Sequence, residues 1–556
     1  MSLQKPWIGL ALVFAAFSPA LVSSFHFDDY YMLADPAVTS ASGWWEVFRL
    51  ERTRPLTYLT FWGNYAVGGE GPFGYHLVNL LLHIFVALLV WLVFRRVLPV
   101  SAALAGAAVF ALHPLQTESV AYVFARSTLL ATLFCLLCWL AWMERRYWIS
   151  TAYFAAALLA KEEAIAFPLF LAVFEYLYRR QAEPDARWRT PFLVMIATAS
   201  AAAVRLLYAA SVTEGSGAAF DLGPITPVTY ALTQARVLWE YARLVVLPYG
   251  QNFDPDVALS TGWDVATAGA WAALTGVTAA CVVYTRKHPN LFWVLGGLIL
   301  LAPSSSVLPL ADLMAERRMY LPMLSFAAGI GVLFAKLDAA LHSRAVGDPL
   351  RPPGSGSSAT GRSVAARLGV ACTAAIIVLS ALSWQRSQVW RSEGSLWRDT
   401  AVKSPAKVRP KLQLARALAA KGPAYEAEQL GLLEQAARLA PDDPDVTTEI
   451  GVYFLQHGDA SGALKEFQKA LDKGADASQG RANRGAALYM LGRIDEAVHD
   501  FELALAQDAC NFDARNNLIL ARRNTEDIDA VRRLAVVPDG CRFSGKQKLA
   551  LEAARP

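Results

Sequence analysis

Two adjacent carboxylates, Asp28 and Asp29, lie in the run SSFHFDDYY directly after an apolar stretch, surrounded by aromatic residues. A carboxylate beside a low-dielectric wall can have a raised pKa and act as a general base toward an attacking hydroxyl. On spacing alone, an acidic pair at a helix end facing water is the plainer alternative. Three more sets of ionisable residues stand out. His113 and Glu118 in ALHPLQTES lack a third ligand at zinc spacing, so hydrogen bonding is expected of them and no metal site is. His76 and His83 are seven apart with Asn79 between them. That spacing puts them on one helix face, where bonding across a helical bundle is the ordinary role and a site role for His76 the alternative. Lys161-Glu162-Glu163 places three charges in or beside an apolar segment, where they must be paired or functional. The Cys135-x-x-Cys138 pair sits in LLATLFCLLCWLAW and reads as packing rather than redox chemistry.

The elements that carry these residues are membrane elements. Of 556 residues, 55% are hydrophobic and 18% charged, against about 25% charged in a soluble domain. The net charge of +4 is too small to imply a nucleic-acid partner. Apolar segments fall near residues 7–25, 74–94, 99–118, 127–143, 148–160, 164–178, 190–210, 264–284, 291–309, 319–338 and 366–384, predicting an all-α bundle of about eleven spans over residues 1–385. The two segments flanking Lys161 are short enough for a re-entrant or cavity-lining hairpin. Arg95-Arg96, Arg145-Arg146, Arg179-Arg180 with Arg187 and Arg189, and Arg286-Lys287-His288 fall on alternate connections, which predicts that these are cytoplasmic, together with the Pro/Gly/Ser-rich linker 339–365. The opposite face then receives loops 26–73, 113–126, 211–263 and 310–318 and everything after residue 385. A cleaved signal peptide is the alternative for the first segment, since Lys5 precedes it and small residues lie at Ser23-Ser24. Segment 227–250 is amphipathic around Arg236 and Arg243 and suits the membrane interface, where it would guide a lipid chain or simply form an edge helix.

Beyond a connector at 386–403 the composition turns soluble. Gly451 and Gly485, Ala463 and Ala497, Phe467 and Phe501, and Ala470 and Ala504 are each 34 residues apart. Small residues at this period let antiparallel helices approach while the Phe fills the groove between them, so residues 404–556 are expected to form an α-solenoid that resembles tetratricopeptide repeats and ends in a C-terminal cap. A looser first repeat covers about 408–441. Such arrays bind peptides or proteins, or serve only for packing. An oxidising compartment would permit Cys510 and Cys541 to pair, although sequence separation cannot supply the geometry.

Specific runs carry a family resemblance. Arg52-Thr53-Arg54-Pro55-Leu56-Thr57, Gly74-Tyr75-His76-Leu77-Val78-Asn79, ALHPLQTESVA, Lys161-Glu162-Glu163, and Ala315-Glu316-Arg317 followed by Tyr320-Leu321-Pro322, in that order and followed by repeats, are similar to the TMTC family. Those are multispanning O-mannosyltransferases of the GT-C superfamily with tetratricopeptide repeats outside the cytosol. The resemblance implies an inverting transferase that moves a sugar, mannose in the family, from a polyprenyl-phosphate donor to a protein Ser/Thr hydroxyl. It makes Asp28 and then Asp29 the catalytic candidates, and Arg317, Arg318 and Arg126 the candidates for the donor phosphate. Arg52, Arg54, His76, His113, Glu118, Lys161, Glu162 and Glu316 become candidates for acceptor or sugar contacts. The chain departs from the family at Arg318, where the family is usually apolar, and at Phe124-Ala125-Arg126-Ser127-Thr128, where an acid usually follows the arginine. The implied donor is lipid-linked, with no other cofactor and no metal, and the implied partners are membrane lipid and a protein or peptide acceptor, possible ligand of the repeats. Two rivals stay open: an enzyme acting on lipid or polysaccharide, and a non-catalytic membrane anchor for the repeats. The Ala- and Arg-rich composition looks bacterial, which would put the N-terminus in the cytoplasm and the repeats in the periplasm; in a eukaryote they would face the endoplasmic reticulum lumen.

Overall fold

The computed structural model describes residues 6–49, 52–178, 186–212, 223–306, 308–346, 357–523, 528–538, 541, 543 and 545–554. Arg179 and Arg180, and 347–356 of the expected linker, lie outside them. The chain divides into two compact units: residues 1–29 with 37–392, and residues 30–36 with 393–556.

The regular elements of the first unit are helices, and each of the eleven apolar segments is helical over most of its described length. Helix length does not bear out eleven full crossings among the described residues. Among the described residues six helices are long and apolar enough on their own: Pro72–Val97, Val123–Met143, Ala186–Tyr208, Val265–Tyr284, Met323–Ala340 and Gly369–Val389. Val100–Leu112 with Pro114–Ala121 makes a seventh that is bent by 47°, and Ile8–Val22, Tyr147–Ala160 and Pro289–Ser304 are shorter. Polar or proline breaks cause the shortening. Pro114 cannot donate to the helix ladder, and Lys161 adopts an extended conformation between Tyr147–Ala160 and the 3-10 turn Glu162–Ala166. These helices make the chain an integral membrane protein. Helix continues to Val346 and resumes at Ser357, so much of the stretch 339–365 is helix rather than open linker.

Interlocking rings hold the unit together. Trp139 meets Phe170 and Phe174 edge-on, both at 5.0 Å, within a buried cluster that also takes in Cys135 and Cys138. Val100–Leu112 crosses Met323–Val346 at glycine: a Cβ on Gly331 would collide with the Ala102 carbonyl, and one on Gly106 with that of Ala327. Close backbone approach of this kind lets two membrane helices pack without a hydrophobic driving force between them.

The second unit contains the repeats. Pro444–Gln456 with Ala460–Asp472, and Ala477–Met490 with Ile494–Gln507, are the two regular helix pairs. In each, the glycine makes room for the phenylalanine of its partner helix: a Cβ on Gly451 would meet the Phe467 ring, and one on Gly485 the Phe501 ring. Arg409–Ala419 and Glu426–Leu439 form the looser first pair. Helix Glu393–Lys403, in the stretch read as a connector, belongs to this unit, as does Tyr30–Pro36. Phe512–Arg523 and the tail close the stack around Ile519, Val531, Phe543 and Leu551. Cys510 and Cys541 are bonded to each other.

Candidate active site

The acidic pair opens a short helix, Asp28–Ala34, and its two members differ. Asp29 is fully buried; its Oδ2 accepts the His26 backbone N–H at 2.9 Å and its Oδ1 that of Phe124 at 2.8 Å. Burial pushes its carboxyl from an ordinary 3.8 up to about 8, against the pull of the His26, Phe124 and Val123 amides, and the charge of Asp28 adds to the rise. Asp28 is only half-buried, and its backbone N–H donates to the Tyr122 hydroxyl at 3.1 Å. Just before it, Phe27 holds a left-handed backbone at φ 44°, a conformation that a non-glycine residue adopts only when its surroundings impose it.

The surroundings are aromatic. The Phe253 ring lies 6.3 Å from Phe27, 5.7 Å from Tyr122 and 5.2 Å from Trp390. His26 Nε2 donates to the Trp390 carbonyl at 2.6 Å, fixing the chain just ahead of the pair. Beyond Tyr122 stands Arg317, whose guanidinium lies 5.8 Å from the Tyr122 ring centre. Arg317 donates to Glu118 Oε1 at 2.6 Å through its guanidinium, to Glu118 Oε2 at 3.1 Å through its backbone amide, and to Asp312 Oδ2 at 3.1 Å. Glu118 is buried. Both it and Tyr122 are brought here by the bend at His113-Pro114, and Arg317 by the 3-10 turn Glu316–Met319. Neighbouring Glu316 is buried and accepts the Asn252 amide at 2.5 Å, tying in segment 251–254. Arg318 is also buried and donates to the backbone carbonyls of Asp312 at 2.7 Å and Leu313 at 3.5 Å.

A second charged group lies on the short helices. Arg54 clamps Glu162 with two bonds, 2.9 and 2.5 Å. Buried Lys161 pairs with Glu163 at 2.9 Å and donates to Thr128 Oγ1 at 2.7 Å. The three charges of Lys161-Glu162-Glu163 are thus all partnered.

Arg126 is fully buried: Nε donates to Asn79 Oδ1 at 2.7 Å, Nη1 to Asn64 Oδ1 at 2.6 Å and Nη2 to the Tyr75 carbonyl at 3.0 Å, with the Phe61 ring 4.6 Å away. These bonds make Arg126 a brace between helices Pro55–Gly68 and Pro72–Val97. His113 accepts the Leu115 amide at Nδ1, 3.2 Å, and bonds the Val245 carbonyl through Nε2, 3.1 Å; it stabilises the bend and contacts no part of the acidic pair in these bonds. His76 is buried with its ring 6.4 Å from that of Phe25. Arg52 lies 5.5 Å from the Tyr58 ring centre. Among the described residues, no three His, Cys, Asp or Glu are grouped to hold a metal ion. Sequence reasoning missed Tyr122, Phe253 and Trp390, single residues far apart in the chain that carry no spacing signal, and passed over His26 and Asp312, which lie three residues before Asp29 and five before Arg317.

No family model matches the chain. Among curated proteins it is 26% identical over 434 residues to the human protein O-mannosyl-transferase TMTC4, covering 66% of this chain and 56% of that protein. It is 23% identical over 396 residues to the protein O-mannosyl-transferase F38B6.6 of Caenorhabditis elegans, 68% of this chain and 52% of that one. The chain is TMTC-like. Over a shorter stretch of 132 residues it is 43% identical to the Drosophila melanogaster protein O-mannosyl-transferase Tmtc1, 22% of this chain and 15% of that protein. The chain therefore matches about half or less of the length of these TMTC relatives. Among solved structures, ArnT from Cupriavidus metallidurans bound to undecaprenyl phosphate overlaps 75% of this chain and 81% of its own at 14% identity and a TM-score of 0.37, too loose an overlap to add to the TMTC likeness.

Proposed function

We propose that the chain is an inverting glycosyltransferase of the GT-C type. It takes a sugar, mannose by analogy with the relatives' names, from a polyprenyl-phosphate donor and places it on a Ser or Thr hydroxyl of a protein. Asp28 removes the proton of the acceptor hydroxyl as its oxygen attacks the anomeric carbon, and the bond from that carbon to the lipid phosphate breaks. Arg317 and Arg318 receive the phosphate as its charge develops. Asp29 positions the base rather than acting as one, since both its oxygens are taken by backbone amides. Arg54, Lys161, Glu162, Glu118 and Glu316 form the polar walls against which sugar and acceptor would rest.

The observation that carries this reading is the continuity from Asp28 through Tyr122 to Arg317 and Glu118, residues nearly 300 positions apart that share one set of contacts. A base and a cation at the two ends of one aromatic wall suit a displacement in which a proton leaves one side and a phosphate the other. The bonded cysteines of the repeat unit support placing that unit in an oxidising compartment, the periplasm if the cell is bacterial. The repeats would then lie outside the cytoplasm, with the N-terminus in the cytoplasm.

The test is transfer by purified protein in detergent from polyprenyl-phosphate mannose to peptide acceptors, with wild type, Asp28→Asn and Asp29→Asn. Loss of a general base lowers turnover by about 10²–10⁴-fold, so that drop is expected of Asp28→Asn with the fold intact. Full turnover by Asp28→Asn rejects it as the base. Absence of transfer by wild type to peptide, lipid and glycan acceptors alike rejects the enzyme.

A further inference from the structure

In the first unit, a short helix, Gly43–Glu46, turns its chemistry inside out. Gly43 and Val47 are buried, while Trp44, Trp45 and Phe48 are 46%, 69% and 49% exposed. Positions 44, 45 and 48 fall within about 100° of arc on a helix, so the three rings form one apolar face. That face is held in place. Trp62 Nε1 donates to the Ser40 carbonyl at 3.0 Å, and the Arg205 guanidinium donates to the carbonyls of Arg49 and Arg52.

Arg205 fixes the height. It belongs to the candidate span Ala186–Tyr208, whose apolar stretch is bracketed by Arg187 and Arg189 at one end and by Arg205 and Tyr208 at the other. Sixteen residues separate Arg189 from Arg205, about 24 Å of helix, close to the hydrocarbon thickness. Arg205 therefore marks the end of the span, where cationic and aromatic side chains meet headgroups. A loop whose carbonyls are gripped by that guanidinium lies at the same depth. Arg49 is the next residue after Phe48 and Arg205 bonds its carbonyl, so cationic residues adjoin the apolar face, as suits anionic headgroups.

We propose that Trp44, Trp45 and Phe48 dock on the headgroup layer of the bilayer and pin residues 37–49 to the membrane surface. The anchor sets the depth of Arg54 and its partner Glu162, and it does not depend on the glycosyltransferase reading.

The experiment uses the full chain in phosphatidylethanolamine–phosphatidylglycerol nanodiscs. Nitroxide labels are placed singly by Trp45→Cys and Phe48→Cys in a Cys372→Ser background, the other free cysteines being buried. Leu193→Cys, 66% exposed on the candidate span, gives the lipid reference, and Met490→Cys, 53% exposed in the repeat unit, the aqueous one. Labels at 45 and 48 are expected to gain collisions with oxygen and lose them with an aqueous nickel chelate relative to 490, shifting toward 193. Values matching 490 overturn the proposal; so does shielding from both reagents, which would mean that a polypeptide, a second copy included, covers the face. Should the labelled variants fail to fold, tryptophan quenching by lipids brominated near the headgroup decides on intact protein. The conservative Trp44→Phe/Trp45→Phe variant is expected to lose the shallow-quenched component, and unchanged quenching rejects the anchor.

Discussion

At the residue scale, the two neighbouring carboxylates have separate fates because one is enclosed and the other is not. Asp29 is held near pKa 8 chiefly by burial, whereas in an unfolded chain it titrates at its ordinary value. The folded protein then binds the extra proton between roughly pH 4 and pH 8, so the stability this group contributes is complete below about 4 and is lost as pH rises through about 8. Between about pH 5 and pH 8.5 the thermal midpoint of the wild type should therefore fall relative to that of Asp29→Asn as pH rises. That variant should also be less stable at every pH, by about 1–3 kcal/mol, because an amide cannot accept from both the His26 and Phe124 N–H groups. Parallel pH profiles for the two proteins would show that Asp29 does not titrate across this range. The pair itself was legible in the sequence from its adjacency and its place after an apolar run. The difference between its members was not, since it depends on an amide 95 residues away.

At the scale of elements, the decisive feature is where helices stop and where they touch. The 34-residue period announced the repeat pairs because the same glycine and phenylalanine face each other in each. No comparable period marks Gly106 and Gly331, 225 positions apart, yet Val100–Leu112 and Met323–Val346 cross there with no room for a methyl group. Gly331→Ala is expected to destabilise the first unit by about 1–3 kcal/mol, as overpacking against backbone does. Gly276→Ala, where nothing lies within 4 Å, should be neutral or slightly stabilising through helix propensity. Thermal unfolding of both variants in detergent checks the contrast, and equal midpoints would mean that the crossing relaxes freely. The bend at His113-Pro114 is likewise a tertiary matter: proline signalled a break, but the Val245 carbonyl that holds the His113 ring comes from a distant helix.

For the whole molecule, the two units should respond differently to reductant. The Cys510–Cys541 bond spans 31 residues, and closing a loop of that length stabilises by roughly 3–4 kcal/mol on the chain-entropy account. Cys541→Ser should lower the denaturant midpoint of the repeat unit and expose its tail to protease while leaving the first unit unchanged; an unaltered repeat unit would show the bond to be dispensable. Composition and periodicity by themselves determined that this chain has an apolar helical part and a solenoid of repeats, because burial patterns are written locally, one face or one span at a time. They also marked the charged residues that a membrane makes costly. Only the tertiary structure decided which of these meet: that Asp28 and Arg317 share Tyr122, that Arg126 bonds Asn79, Asn64 and Tyr75, and that Glu393–Lys403 joins the repeats. Contacts between distant segments depend on how helices end, bend and cross, and those are settled by packing and hydrogen-bond satisfaction across the whole chain.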